Sequence, residues 1–342
     1  MTISEIKMML NSSQYDFLRA NEHLGKNIIL LTFGGSYAYG TNTDTSDVDI
    51  RGCALNSKEE ILTNKNFEQF VNEETDTTIY SFNKLISLLI NCNPNTIEIL
   101  GCKPEHYFYL SSIGKELIDN RHLFLSKKCI HSFGGYANQQ LWRLSNKSAR
   151  LVSQEEQERH ILSSIQNAAI TFKDKFALYD EDSINLYVDK SDREEYDSEI
   201  FMDINLKHYP LRDYKGMWSE MNNIVKDYAK IGKRNTHAIE RGKLGKHMCH
   251  LVRLYYMCFD ILEKEQINTY RANEHELLMS LINGEFLDDN RQPLPEFFEM
   301  INDLDKRLNY DKDNTSLPDH PNYNAIKNFV YLVNERVVKN EI

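Results

Sequence analysis

The sequence predicts an α+β fold, with a short mixed sheet at the N-terminal end followed by a mainly helical domain. Two observations predict it. Up to about residue 104, short apolar or β-branched runs alternate with turn residues and one helical stretch. From residue 127 onward, apolar residues recur at a helical spacing. We therefore expect a first domain over residues 1–104 and a second domain over residues 105–342.

The first domain is expected to open with an amphipathic helix over residues 3–24. The remaining elements predicted for this half are strands over residues 27–33, 47–51 and 76–82, a helix over 83–90, a further strand closing the unit, and a short helix near 113–120. This succession of strand, turn, strand, strand, helix and strand indicates a compact sheet of mixed direction.

The second domain is expected to consist of helices joined by polar loops. The helical runs after the first one, which begins near residue 127, are 155–179, 214–231, 238–263, 272–282, 296–308 and 324–339. Acidic runs near residues 180–200 predict an exposed loop. Gly284 follows one of these helices and is expected to be its C-cap.

The composition indicates an ordinary globular protein, with 41% hydrophobic and 27% charged residues. No apolar run approaches the length of a membrane span, and the first residues lack a signal-peptide pattern, so we expect a cytoplasmic protein without a membrane partner. The six cysteines form no Cys-x-x-Cys pair, which disfavours a structural zinc site.

The formal net charge of −11 disfavours a broad nucleic-acid-binding surface. Residues 226–253 nevertheless carry eight Lys or Arg side chains against two acidic ones. This local excess of positive charge is compatible with a short contact to an anionic ligand.

A glycine-rich turn follows the first predicted strand. Gly34 and Gly35 allow a tight turn and a close backbone approach to a ligand. Ser36 is a good N-cap for the helical turn that follows. Backbone N–H groups at such a turn favour a phosphate group.

Two carboxylates follow this turn at a spacing of two residues. Asp47 and Asp49 alternate with Val48 and Ile50, so on a strand both carboxylates would share one face. Paired carboxylates beside a phosphate-binding turn suit Mg²⁺-dependent phosphoryl chemistry. Arg51 is expected to pair with a carboxylate of this site.

The run Gly35-Ser36-Tyr37-Ala38-Tyr39-Gly40-Thr41, followed by Thr45-Ser46-Asp47-Val48-Asp49-Ile50-Arg51-Gly52, resembles the signature of the DNA polymerase β-type nucleotidyltransferase superfamily. It is most similar to a family of predicted bacterial and phage nucleotidyltransferases, some of whose members sit near RNA-repair enzymes. Residues 243–254, 267–271 and 278–284 also resemble segments of that family. The resemblance implies a polymerase β-like catalytic unit followed by a helical domain.

The resemblance also implies a third carboxylate on a neighbouring strand. Asp76 fits best, because it begins the predicted strand that leads into a helix and the Asn93-Pro94-Asn95 segment. Glu73 and Glu74 are expected to be loop charges, and Glu98 remains the alternative ligand.

The resemblance assigns a role to each of these residues. Asp47, Asp49 and Asp76 would be catalytic and would bind two Mg²⁺ ions, with Mn²⁺ as a possible substitute. Gly35 and Ser36 would hold the phosphates of a nucleoside triphosphate. Further phosphate contacts are expected from basic residues that share a helical face, and these are Lys243, Lys246, His250 and Arg253.

The expected reaction moves a nucleoside monophosphate to an acceptor hydroxyl and releases pyrophosphate. An RNA 3′ end is the favoured acceptor, because of the basic stretch and the family's RNA-repair neighbours. The alternative acceptors are a protein hydroxyl and a small molecule. The alternative functions of the chain are a cyclic oligonucleotide synthase and a catalytically inactive nucleotide-binding module.

Overall fold

The structure is a computed structural model that describes residues 1–63, 65, 67–134, 137, 184–190, 198–219, 221–222, 244–289 and 293–342. It divides into two compact units. The first contains Met1–Asn138, Cys249–Asn283 and Pro295–Ile342, and the second contains Gln139–Met248 and Gly284–Leu294. The proposed domain boundary near residue 104 stays a prediction.

The first unit is built on a mixed sheet. Its strands are β1 (Ile28–Phe33), β2 (Ile50–Ala54), β3 (Gln69–Asn72), β4 (Thr77–Ser81) and β5 (Tyr107–Leu110). They lie in the order β3-β4-β2-β1-β5. The β2–β4 pair is parallel and the other neighbouring pairs are antiparallel. The predicted α+β class with a short mixed sheet is confirmed, although β3 was not among the predicted strands.

Strand β1 lies between β2 and β5 in the sheet. All six of its residues are buried, as expected for the continuous apolar run Ile28-Ile29-Leu30-Leu31-Thr32-Phe33 between two paired neighbours. Its side chains join a core that includes Ile6, Leu24 and Ile79. Fixing this strand in the core fixes where the glycine turn after Phe33 begins.

The helices that surround the sheet come from both ends of the chain. The N-terminal ones are α1 (Ile3–Leu10), α2 (Phe17–Ala20), α3 (Gly35–Tyr39), α4 (Lys58–Thr63), α5 (Phe82–Ile90), α6 (Pro94–Ile97) and α7 (Ser112–Asp119). A single helix over residues 3–24 is therefore a wrong prediction. Asn11 ends α1, and Arg19 then bonds to the carbonyls of Leu10 and Ser12, which stabilises the break.

The C-terminal helices agree with the sequence prediction to within a few residues at most ends. They are α8 (Leu244–Lys264), α9 (His275–Asn283), α10 (Pro295–Asn314) and α11 (Tyr323–Lys339). Gly284 follows α9 with φ +85°, the left-handed conformation expected of a C-cap glycine. The helix predicted over residues 155–179 lies outside the described residues.

The second unit contains a β-hairpin where the sequence predicts an acidic loop. Strands β6 (Ile184–Lys190) and β7 (Ser198–Ile204) pair antiparallel along their whole length. Tyr187 and Phe201 are cross-strand partners with ring centroids 6.0 Å apart, a contact that stabilises such a pair. The acidic residues of this segment masked its alternation of apolar and polar side chains.

Within the described part of the chain, no helix is both long enough and apolar enough to cross a membrane.

Candidate active site

Three chain segments meet at one edge of the mixed sheet. Phe33 at the end of β1 pairs with Ile50 at the beginning of β2, and Ile50 pairs with Thr77 at the beginning of β4. The amide of Gly34 donates to the carbonyl of Asp49 (2.9 Å), and the amide of Ile50 donates to the carbonyl of Asp76 (3.2 Å). The glycine turn and the backbone of two predicted metal ligands, Asp49 and Asp76, therefore lie side by side.

Gly35 occupies a position that a larger residue would disrupt. Its φ of +54° lies in the left-handed region, which favours glycine. A Cβ built at Gly35 would lie 1.9 Å from Oδ2 of Asp49, and one built at Gly34 would lie 2.8 Å from Cγ of Arg51. The two glycines thus leave the space that the Asp49 and Arg51 side chains occupy.

Asp49 is the most enclosed of the three predicted carboxylates. Its side chain is one-quarter exposed, and Nη2 of Arg51 donates to its Oδ1 over 3.2 Å. Burial raises the pKa of Asp49, the positive charge of Arg51 opposes that rise, and the negative charges of Asp76 and Asp47 add to it. The three carboxylates therefore interact electrostatically, and the expected pairing of Arg51 with a site carboxylate is confirmed.

Asp47 and Asp49 precede their strand instead of lying on it. The sequence predicts both on a strand, but β2 begins at Ile50, because its partner β1 ends at Phe33. Asp47 is exposed and follows a turn in which the amide of Thr43 donates to Oγ of Ser46 (2.9 Å). Shared orientation of the two carboxylates is therefore not imposed by strand alternation.

Asp76 lies in the turn before β4, where it is exposed and has φ +43°. Its carbonyl accepts from Nη1 of Arg51 (2.6 Å), so one guanidinium holds both the Asp49 side chain and the Asp76 backbone. Glu73 and Glu74 are exposed in the same turn.

The described residues include candidate donors for a metal ion. No group of three or more His, Cys, Asp or Glu side chains among them is arranged to enclose one. The aspartates at the sheet edge nevertheless offer carboxylate oxygens, the donors that Mg²⁺ and Mn²⁺ prefer. The three aspartates fit such an ion by donor type, and a metal site here stays a prediction.

Glu98, the alternative third carboxylate, is engaged elsewhere. It is 6% exposed, accepts from Oη of Tyr39 and accepts from Nη1 of Arg253 over 3.2 Å. Burial raises its pKa to about 8, against the lowering effect of the Arg51 charge. These bonds assign Glu98 to a buried network beside the sheet edge.

The predicted row of basic residues does not form one exposed face. Arg253 is 3% exposed, and its guanidinium carbon lies 3.4 Å from the centroid of the Tyr39 ring. Its Nη2 lies 2.7 Å from Nδ1 of His250, and because arginine only donates, that nitrogen accepts and the histidine is neutral. Burial also lowers the pKa of His250. Lys246 is exposed in the second unit, and Lys243 lies outside the described residues.

The network of Tyr39, Glu98 and Arg253 is the part of the site that sequence reasoning missed. Arg253 stands 155 positions after Glu98, and no local pattern connects them. The signal available in the sequence is the apolar character of the neighbours Leu251, Val252 and Leu254, all of which are buried in the structure, so this turn of α8 has little exposed surface.

A short mixed sheet with a glycine turn after β1, and acidic residues before the parallel strands β2 and β4, is the arrangement expected of a polymerase β-like unit. Residues 9–158 match the model of the RNA repair pathway DNA polymerase beta family. The predicted resemblance to the polymerase β-type superfamily is confirmed over these residues. No curated protein and no solved structure gave a match.

Proposed function

We propose that this chain is a metal-dependent nucleotidyltransferase that moves a nucleoside monophosphate from a nucleoside triphosphate to an acceptor hydroxyl. The observation that carries the proposal is the meeting of Gly35, Asp49 and Asp76 at one sheet edge. The family match over residues 9–158 supports the same class of activity.

The glycine turn would hold the phosphates of the nucleotide. Gly34 and Gly35 have no side chain that would keep a phosphate from the backbone. Ser36 adds a hydroxyl in the first turn of α3, whose N-cap is Gly34 and not Ser36 as predicted. Arg51 fixes Asp49 and the Asp76 backbone in place, so the acidic groups stay next to this turn.

Asp47, Asp49 and Asp76 would hold Mg²⁺ or Mn²⁺. When bound, divalent ions stabilise the charge on the attacking and leaving oxygens of an in-line displacement. The acceptor oxygen forms a bond to the α-phosphorus, the bond from that phosphorus to the bridging oxygen breaks, and pyrophosphate leaves. Asp76 would take up the hydroxyl proton, since it is exposed and able to reach an acceptor.

We propose an RNA 3′ end as the acceptor. The matched family is described by an RNA repair pathway. Residues 226–246 carry seven Lys or Arg side chains against two acidic ones in a chain whose net charge is −11, which favours a short RNA contact.

The proposed location is the cytoplasm. The six cysteines are free and five of them are buried, which fits a reducing compartment.

The test is transfer of label from each α-labelled nucleoside triphosphate in Mg²⁺ or Mn²⁺. The acceptors are RNA with a 3′ hydroxyl, the same RNA with a 3′ deoxy end, a protein extract, and none. Label on the first RNA alone, lost in Asp49→Asn and kept in the exposed control Glu74→Gln, is the expected result. Label on protein or in a soluble cyclic product would replace RNA by that acceptor. Absence of label from every pool would contradict the proposal.

A further inference from the structure

Tyr39 fixes the far end of the short helix that begins with Gly35 and Ser36. It is the last residue of α3, is 8% exposed and donates its hydroxyl to Glu98. Its carbonyl accepts from the amide of Arg271 over 3.0 Å. Because α3 has only five residues, holding Tyr39 limits the movement of the whole helix.

The residue after Tyr39 is also enclosed. Gly40 has φ +77°, and a Cβ built on it would lie 2.3 Å from the Tyr270 ring. Nζ of Lys103 lies 3.3 Å from the centroid of the same ring. The segment that contains Tyr270 and Arg271 therefore closes over the end of α3.

Arg253 joins these groups from helix α8. Its guanidinium donates to Glu98 and to His250 and stacks on the Tyr39 ring. A planar guanidinium makes these three contacts at once, whereas a lysine ammonium is a compact charge without a stacking face. Arginine is therefore required at this position for the complete set of contacts.

Glu98, the residue after α6, connects the same groups to the chain segment after α8. Its carbonyl accepts from Oγ1 of Thr269 over 2.6 Å, and its carboxylate accepts from Tyr39 and Arg253. A buried ion pair is by itself weak support for stability, because desolvation offsets the attraction between the charges. The Glu98–Arg253 pair is better explained by the position it gives to Tyr39, which both of its members contact.

We propose that Arg253 is a positioning residue for nucleotide binding. With Glu98 it fixes Tyr39, and through Tyr39 it sets the orientation of α3 and so of Gly35 and Ser36. This inference rests on the proposed function, because it assumes that the glycine turn receives the triphosphate. The sequence predicts a direct contact between Arg253 and a phosphate. In the positioning role, Arg253 instead acts indirectly, through α3.

The experiment compares Arg253→Lys with Tyr39→Phe and with a matched control, Arg307→Lys. Arg307 also pairs with a glutamate, Glu263 (2.6 Å), and stacks on an aromatic ring, that of Phe259 at 4.1 Å, but it belongs to α10. Nucleotide affinity is measured without acceptor, using a fluorescent nucleoside triphosphate. KM and kcat come from label transfer, and folding is checked by thermal unfolding.

We expect Arg253→Lys to raise Kd and KM for the nucleotide by about tenfold, with a smaller effect on kcat, since a charge-assisted bond and a stacking contact are lost. Tyr39→Phe, which keeps the ring and removes the hydroxyl, should raise Kd in the same direction. In the double variant the two effects should be less than multiplicative, because both act through Tyr39. Arg307→Lys should leave Kd unchanged.

Equal Kd values for wild type, Tyr39→Phe and Arg253→Lys would overturn the positioning role while leaving the proposed function intact. If the two effects on Kd multiplied in the double variant, the positioning role would also be overturned, because Arg253 would then act independently of Tyr39. If Arg253→Lys fails to fold, the Tyr39→Phe result alone decides. Absence of nucleotide binding in the wild type would overturn the proposed function together with this role.

Discussion

The carboxylate of Asp49 lies against the backbone of Gly35. A Cβ on Gly35 would come within 1.9 Å of Oδ2 of Asp49, a separation that no side chain tolerates. The glycine turn and the first enclosed carboxylate are therefore shaped for each other. A residue with a side chain at position 35 must displace either Asp49 or the turn.

Gly35→Ala should abolish nucleotidyl transfer and lower stability. The positive φ of Gly35 alone costs an L-residue about 1–2 kcal/mol, and the contact with Asp49 adds to that cost. The free energy of unfolding from denaturant titration and the rate of label transfer measure the two effects. Gly134→Ala is the matched control, since its Cβ would meet Leu308 at an ordinary 3.6 Å in a helical segment. Wild-type transfer by Gly35→Ala would show that the turn is not part of the site.

Removing one charge from the acidic group should stop catalysis without unfolding the chain. Asp47→Asn, Asp49→Asn and Asp76→Asn should each lower the transfer rate by about a hundredfold or more, because a metal ligand is lost. Mn²⁺ titration followed by electron paramagnetic resonance should show weaker binding in each variant. Chelation of the metal should stop the wild-type reaction in the same way.

The exposed residue Glu73 supplies a control in the same turn as Asp76. Glu73→Gln changes the charge by the same amount and should retain both Mn²⁺ affinity and transfer. If it lost activity as completely as Asp76→Asn, general charge near β4, not a specific ligand, would explain the results.

Asp311→Asn should stabilise the protein at neutral pH. Asp311 is 7% exposed near the end of α10, and Oδ2 has no hydrogen-bond partner among the described residues. Burial, followed by the nearby charge of Glu263, raises its pKa to about 6, while Arg307 lowers it. A raised carboxyl pKa contributes stability below the ordinary value of 3.8, and this contribution is lost as the pH rises through about 6.

The expected gain for Asp311→Asn at pH 7.5 is about 1–2 kcal/mol, because the variant removes a buried charge next to Glu263. Urea unfolding at pH 7.5 and pH 5 measures it. The gain should shrink at pH 5, where the wild-type carboxyl is already largely protonated. An equal gain at both pH values would mean that ionisation of Asp311 is not the cause.

Strong local patterns predicted much of the fold. The apolar run of β1, the β-rich run of β4 and the amphipathic pattern of α11 each lie within a few residues of the predicted bounds. The beginning of β2 was missed, because it depends on where its partner β1 ends. The β6–β7 hairpin was missed, because acidic residues were weighted above cross-strand aromatic pairing.

The part of the site formed by nearby residues could be predicted from the sequence, and the part formed by distant segments could not. Gly35 and Asp49 are close in sequence, and their chemistry can be inferred from spacing. The Glu98–Arg253 pair depends on packing between distant segments, and helical spacing does not say which side of α8 is buried. From the sequence alone, a buried arginine therefore cannot be distinguished from one that is available to a ligand.

The most direct measurement is a crystal structure of the protein with Mn²⁺ and a non-hydrolysable nucleoside triphosphate. Anomalous scattering should place the metal among the carboxylates of Asp47, Asp49 and Asp76, with the phosphates on the Gly34-Gly35-Ser36 turn. Metal and triphosphate bound away from that sheet edge, with the three aspartates unliganded, would contradict the assignment of this edge as the catalytic site.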